Sequence, residues 1–147
     1  MEMIIKVKRL DKTLPLPKRA HEDDSGFDLY SRESLEIPAR GYALINCGVI
    51  FEMPPDVECQ VRGRSGYARR GIFTHFGTVD SGFRGEVGPI LFNFNDVPFK
   101  IEKGDRVCQV VFVSRLGKEY DSIKLVEVDE VDETERGSRG FGSTGVK

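Results

Sequence analysis

Four arginines crowd one short stretch, "VRGRSGYARRG" (61–71): Arg62, Arg64, Arg69 and Arg70 surround Ser65 and Gly66. A guanidinium is a planar fork of donors suited to phosphate oxygens. Ser65 adds a hydroxyl, and Gly66 lets an anion come close to the backbone. A charged surface turn is the plainer explanation of the same residues. A second stretch, "GTVDSGFRGEV" (77–87), holds Asp80 at the end of an apolar run and Phe83 with Arg84 between Gly82 and Gly85. Asp80 is either a turn former bonded to its own backbone or a general base acting on water. Phe83 is either a core anchor or the floor of a small-molecule pocket. Asp28 in "SGFDLYS" (25–31) and Gln109 in "KGDRVCQVVF" (103–112) are weaker candidates, and Asp105 and Arg106 read as a simple pair.

The end of the chain, "RGSRGFGSTG" (136–145), has almost no apolar surface to offset the cost of ordering it, about 1–2 kcal/mol per residue. Alone it is expected to be disordered. A polyphosphate changes that balance. Arg136 and Arg139 supply charge-assisted bonds, Gly142, Ser143 and Thr144 supply backbone and hydroxyl donors, and Phe141 can stack on a base. These are the parts of a lid that closes over a nucleotide and excludes water.

The elements that must hold these groups read as short strands. "MIIKVKRL" (3–10), "LEIPA" (35–39), "GYALINCGVIFEM" (41–53), "VECQVRG" (57–63), "EVGPILFNF" (86–94), "FKIEKGDRVCQVVFVSRL" (99–116) and "SIKLVEVDEV" (122–131) carry β-branched and aromatic residues, many with period two. Turn chemistry separates them in "PARG", "MPPD", "NDVP" and "EKGD". One stretch reads as helix, 65–71, with Ser65 as its cap and Gly71 as its stop. Many strands and almost no helix predict an all-β sandwich, jelly roll or barrel. The run "EVDEVDETE" carries six carboxylates in nine residues and reads as a solvated acidic arm.

At 147 residues, 39% hydrophobic and 31% charged with a net charge of −2, the chain suits one domain with a single core. Its charge balance gives no footprint for nucleic acid. With no apolar run of about 18 residues and no signal-peptide pattern near Met1, the expectation is a cytoplasmic protein with no membrane partner. Cys47, Cys59 and Cys108 are far apart in sequence with no CxxC pair, and read as buried, reduced thiols. His21 and His75 are too few for a metal site with them and read as ordinary polar residues.

Five of these stretches, "SGFDLYS", "GRSGYA", "GTVDSGFRGEV", "KGDRVCQVVF" and "RGSRGFGSTG", occur in the order and nearly the full-length spacing of one family. The chain resembles the homotrimeric dUTP diphosphatases. The resemblance implies a distorted jelly roll over 1–132, a flexible lid over 133–147, and three sites shared between subunits. It also implies Mg²⁺-dependent hydrolysis of dUTP to dUMP and pyrophosphate, which cleanses the nucleotide pool and supplies dUMP for dTMP synthesis. Arg64, Ser65 and Gly66 match the phosphate-binding turn, with Gln109 near the phosphates. Asp80 matches the aspartate that activates water, and Asp28 the one that contacts Mg²⁺ through water. The backbone from Gly77 through Thr78 and Val79 to Gly88 matches the uracil-reading hairpin. Arg136, Phe141, Gly142, Ser143 and Thr144 match the lid residues on base and γ-phosphate. Phe83 stands where the family usually has tyrosine under the deoxyribose. Arg139 replaces a usual glycine, and the run from Arg64 to Asp80 is short. The related dCTP deaminases need a glutamate where this chain has Ile90. A nucleotide-sensing module or structural jelly-roll subunit would tolerate loss of Asp80 or the tail, and both are intact.

Overall fold

The computed structural model describes residues 1–142 and 145. Twelve strands and one four-residue helix form an all-β fold. The first sheet places β1 (Glu2–Arg9) between β12 (Ser122–Glu127), parallel to it, and β5 (Val49–Glu52), antiparallel. A second has β2 (Phe27–Tyr30), β11 (Arg106–Ser114), β6 (Val57–Arg62) and β8 (Gly77–Val79) in that order, all antiparallel. The third is β4 (Tyr42–Leu44), β9 (Ile90–Asn93) and β7 (Ile72–Thr74), and β3 (Leu35–Ile37) pairs with β10 (Phe99–Ile101).

Period-two burial explains the strands. Met3, Ile5 and Val7 of β1 are buried while Glu2, Ile4 and Lys6 face out, and Val57, Cys59 and Val61 of β6 do the same against Glu58, Gln60 and Arg62. In β11 the alternation breaks, because Val107 and Cys108 are both buried. A register shift against β2 between Arg106 and Cys108 accounts for it. The core that results runs through Ile5, Leu29, Phe51, Leu91 and Val110. On the outer face of the third sheet, by contrast, Tyr42, Phe92 and Phe73 form a cross-strand row with Phe94 beside it, all exposed.

Three local readings are corrected. The stretch 41–53 is two strands in different sheets, because Gly48 turns at φ +69° and the backbone of residues 45–49 bonds instead to Val87 and Pro89. Helix α1 spans only Ser65–Ala68. Arg64, extended at φ −96° and ψ 134°, occupies the cap position, so Ser65 lies inside the first turn with its hydroxyl free of capping duty. Gly71 does stop the turn, at φ +79°. Arg106 faces Asp28 at 3.6 Å rather than Asp105, whose carboxylate instead accepts the Glu102 N–H at 2.9 Å. The acidic run keeps all six carboxylates exposed, as expected, and makes ion pairs at the surface. Glu127 takes a two-pronged bond from Arg9 at 2.5 and 3.1 Å, and Glu130 and Asp129 pair with Lys8 and Lys12.

Asn93 is the buried polar joint of the third sheet. Its amide nitrogen donates to the carbonyls of Ile37, Pro38 and Val97 at 3.2, 3.3 and 2.9 Å, and its oxygen accepts the Asn95 N–H at 2.9 Å. Replacing it takes this donor away from three carbonyls, of which that of Pro38 keeps the Gly41 N–H at 2.9 Å. Asn93→Leu is expected to cost about 1–3 kcal/mol, read as a lower urea midpoint at unchanged slope.

Candidate active site

Two cavities collect almost every candidate residue. The first, about 180 Å³, is walled by the hairpin from Gly77 to Ile90 and roofed by Arg136, Gly140 and Phe141. β8 supplies Gly77, Thr78 and Val79. The return leg is held against residues 45–49, with Val87 exchanging bonds with Cys47 and Val49. Gly88 passes so close to this neighbour that a Cβ there would sit 1.8 Å from the Ile45 carbonyl oxygen. Phe83 is buried and forms the floor. Its ring leaves no space for side chains at Gly85 or Gly140, where a Cβ would lie 2.3 and 2.8 Å from ring carbons.

Asp80 directly follows β8, and its exposed carboxylate forms an ion pair with Arg136, which lines the cavity. The same guanidinium lies 5.4 Å from the centre of the Phe83 ring. The cavity is chiefly apolar; of the two carboxylates near it, Glu86 is engaged by Arg32 and the Gly48 N–H, and Asp80 lies beside it on Arg136, which leaves a surface for a flat ring.

The second cavity, about 350 Å³, is polar. Arg64, Ser65, Gly66, Asp28, Arg106 and Gln109 line it, with Asp24 and Ser25. Arg64 donates to the Arg106 carbonyl at 2.8 Å and stacks 5.2 Å from the Tyr67 ring. No atom lies within 4 Å of a Cβ placed on Gly66, so nothing in the chain itself demands glycine there. Gln109 donates to the Gly63 carbonyl at 3.0 Å, and its amide oxygen fills the space a side chain on Gly26 would need. Hydroxyl, amide and carboxylate oxygens face a cavity that also carries two arginines.

That donor set suits a hard, well-hydrated cation that takes most of its ligands from water and phosphate. Among the described residues no three His, Cys, Asp or Glu side chains cluster as a closed metal cage. Asp24 and Asp28 are the carboxylates that line this cavity.

No residue lines both cavities, and the register shows why. Gln109 pairs with Arg62 and with Asp28, so these three point to one face of the sheet. Val110 pairs with Val61, and Val61 with Gly77, so these point to the other. Within one chain, then, the sheet brings together Arg64, Ser65, Gly66, Gln109 and Asp28, and separately Gly77, Thr78, Val79, Asp80, Phe83, Gly88, Arg136 and Phe141. Gly142 is exposed, at φ +93°, just beyond the roof. Ser143 and Thr144 lie outside the described residues.

Over residues 12–145 the sequence matches the dUTPase family profile. The chain belongs to the dUTPase family. It is 44% identical to the deoxyuridine 5'-triphosphate nucleotidohydrolase of Alkaliphilus metalliredigens, over 97% of this chain and 98% of that one. The mitochondrial enzyme of that name from Dictyostelium discoideum is 42% identical, over 97% of this chain and 77% of its own. Among solved structures, the Staphylococcus bacteriophage 80alpha dUTPase with dUpNHpp is 27% identical with a TM-score of 0.72, over 97% of this chain and 98% of that one. A dUTPase from phage phi11 of S. aureus, solved for its coordination of a structural Mg(II) ion, shares the fold at 22% identity and a TM-score of 0.71, over 80% of this chain and 94% of that one.

Several site residues of this dUTPase-family chain carried no sequence signal. His75, read as an ordinary polar residue, lines the first cavity. Glu86 pins the hairpin, accepting from Arg32 at 2.8 Å and from the Gly48 N–H at 2.7 Å. The cysteines are all free and buried. A hydrogen bond with Cys108, and then burial, push the Cys47 thiol up, and burial does the same to Cys59, so neither is a thiolate nucleophile.

The two glycines separate packing from ligand approach. Gly88→Ala, which drives a methyl into backbone, is expected to cost about 1–3 kcal/mol. Gly66→Ala is expected to change stability by less than about 0.5 kcal/mol. Paired urea unfolding curves check both.

Proposed function

We propose that this protein is a dUTP diphosphatase that hydrolyses dUTP to dUMP and pyrophosphate with Mg²⁺, at sites completed between the subunits of a homotrimer. One observation carries this reading: an apolar, ring-sized cavity with a carboxylate at its rim and a cationic cavity built for phosphate occur in one chain on opposite faces of one sheet. A nucleotide bound to both needs the hairpin of one copy and the phosphate turn of another. The exposed row of Tyr42, Phe92 and Phe73 is also a surface that a lone chain leaves in water, and a neighbouring copy would cover it.

In this reading the hairpin backbone from Gly77 to Gly88 reads the uracil edge. It offers cytosine mismatched donors and acceptors and leaves no room for the thymine methyl. Phe83 lies under the deoxyribose and excludes a 2′-hydroxyl with its ring face. Arg64, Ser65 and Gly66 bind the phosphates, with Gln109 beside them. Asp28 would help hold Mg²⁺ through water. When bound, Mg²⁺ neutralises charge on the phosphate oxygens.

Asp80 takes a proton from the attacking water as its oxygen bonds to the α-phosphorus. The α–β bridging oxygen then leaves with pyrophosphate. Arg136 exchanges Asp80 for phosphate, Phe141 covers the base, and Gly142, Ser143 and Thr144 wrap the γ-phosphate. Residues 133–147 thus act as a lid on the domain formed by 1–132. Ile90 offers no carboxylate for deamination.

No helix among the described residues is long and apolar enough to cross a membrane. We place the enzyme in the cytoplasm, removing dUTP from the nucleotide pool and supplying dUMP for dTMP synthesis.

Purified protein with Mg²⁺ is expected to convert dUTP alone among dUTP, dCTP, dTTP and UTP, with dUMP and pyrophosphate resolved by anion exchange. Asp80→Asn is expected to lose about 10²–10⁴-fold in rate. Consumption of dCTP would replace this reading with deamination, and binding without turnover would replace it with a sensor.

A further inference from the structure

The structure assigns Thr134 as the positioning residue that fixes where the lid starts. This inference rests on the proposed dUTP hydrolysis and on a lid that begins near residue 133. The Thr134 hydroxyl works in both directions. It donates to the Gly82 carbonyl at 2.5 Å and accepts the Gly137 N–H at 3.0 Å. Its single proton and an acceptor site are therefore both engaged, one on the hairpin tip and one on the arm.

Arg84 completes the clamp from the hairpin side. Its backbone N–H donates to the Gly137 carbonyl at 2.6 Å, and its guanidinium donates to the Asp132 carbonyl at 2.8 Å and the Ser81 carbonyl at 2.7 Å. The segment from Asp132 to Gly137 is thereby tied to residues 81–84, the same turn that carries Phe83 and follows Asp80.

Chain length gives the clamp its consequence. From Gly137 to Phe141 is four residues, which span at most roughly 14 Å when fully extended. Gly137 bends the chain at φ +57°, and Gly140 passes over the Phe83 ring with no side chain to obstruct it. With Gly137 fixed, Phe141 stays within reach of the first cavity that it lines, and closing becomes an intramolecular step at high effective concentration. Without the Thr134 hydroxyl, Gly137 keeps only the bond from the Arg84 N–H to its carbonyl, its own N–H loses its partner, and that advantage falls.

Thr134→Val removes both bonds at nearly constant volume, and Thr134→Ser restores the hydroxyl. Both variants are compared with wild type by kcat and KM for dUTP, and by trypsin cleavage after Arg136 and Arg139, with and without dUpNHpp and Mg²⁺. Thermal unfolding is followed in parallel.

The Val variant is expected to unfold at the wild-type temperature. Its KM should rise on the order of tenfold with a smaller change in kcat, its arm should be cut faster without ligand, and protection by dUpNHpp should be lost. Thr134→Ser should return all three to near wild type. Wild-type KM and arm cleavage in the Val variant would overturn the assignment, as would equal impairment of Val and Ser. If wild type neither hydrolyses dUTP nor is protected by dUpNHpp, the dUTPase reading fails, and the ligand-free cleavage rates still decide whether Thr134 anchors the arm.

Discussion

The register of β11 is the constraint on which the site depends. Burial of Val110 and Phe112 against Val61 and Cys59 sets which way every side chain of the strand points, since a one-residue slip would exchange the two faces. With that register, Gln109 aligns with Asp28 on one side and Arg62 on the other, and the polar cavity follows. The bulge between Arg106 and Cys108 lets Val107 join the core without displacing this row. The same pairing carries through Val61 to Gly77, which starts the hairpin on the opposite face.

Once the faces are fixed, each cavity is completed locally. The hairpin cannot drift, because Glu86 bridges Arg32 and the Gly48 amide and because Gly88 lies against backbone. Phe83 is held among glycines, so its ring presents a fixed surface to a ligand. Asp80 and Arg136 pair at the exposed rim, where solvent screening keeps an ion pair worth little. In the proposed mechanism, a contact so weak would be exchanged for the stronger, charge-assisted partner that phosphate would offer Arg136.

Much of this was legible in the residues. Alternation in "MIIKVKRL" and "VECQVRG" marks β1 and β6, and Gly71 marks the end of the short helix. The order of "SGFDLYS", "GRSGYA" and "GTVDSGFRGEV" marks the family. Short strands such as Ile72–Thr74 and Gly77–Val79 were not legible, since three residues carry too little periodicity to distinguish a strand from a turn. Composition marks Ser65 as the cap, whereas the extended backbone at Arg64 decides the position. Glu86, Thr134 and Asn93 escaped notice for a different reason. Each acts through partners far along the chain, and no local pattern announces a carboxylate whose partners are Arg32 and Gly48. The division of the site across two faces also needed the pairing register, which sequence order alone does not reveal.

The central claim is that one copy supplies the carboxylate and hairpin while another supplies the phosphate turn. Mixing two inactive variants tests it most directly: Asp80→Asn in one chain and Arg64→Ala with Ser65→Ala in the other, coexpressed and purified together. The account predicts that dUTP hydrolysis reappears in the mixed oligomer, because some sites combine an intact hairpin with an intact phosphate turn from its neighbour. Mixed oligomers that remain as inactive as either parent would contradict it and place the whole site within a single chain.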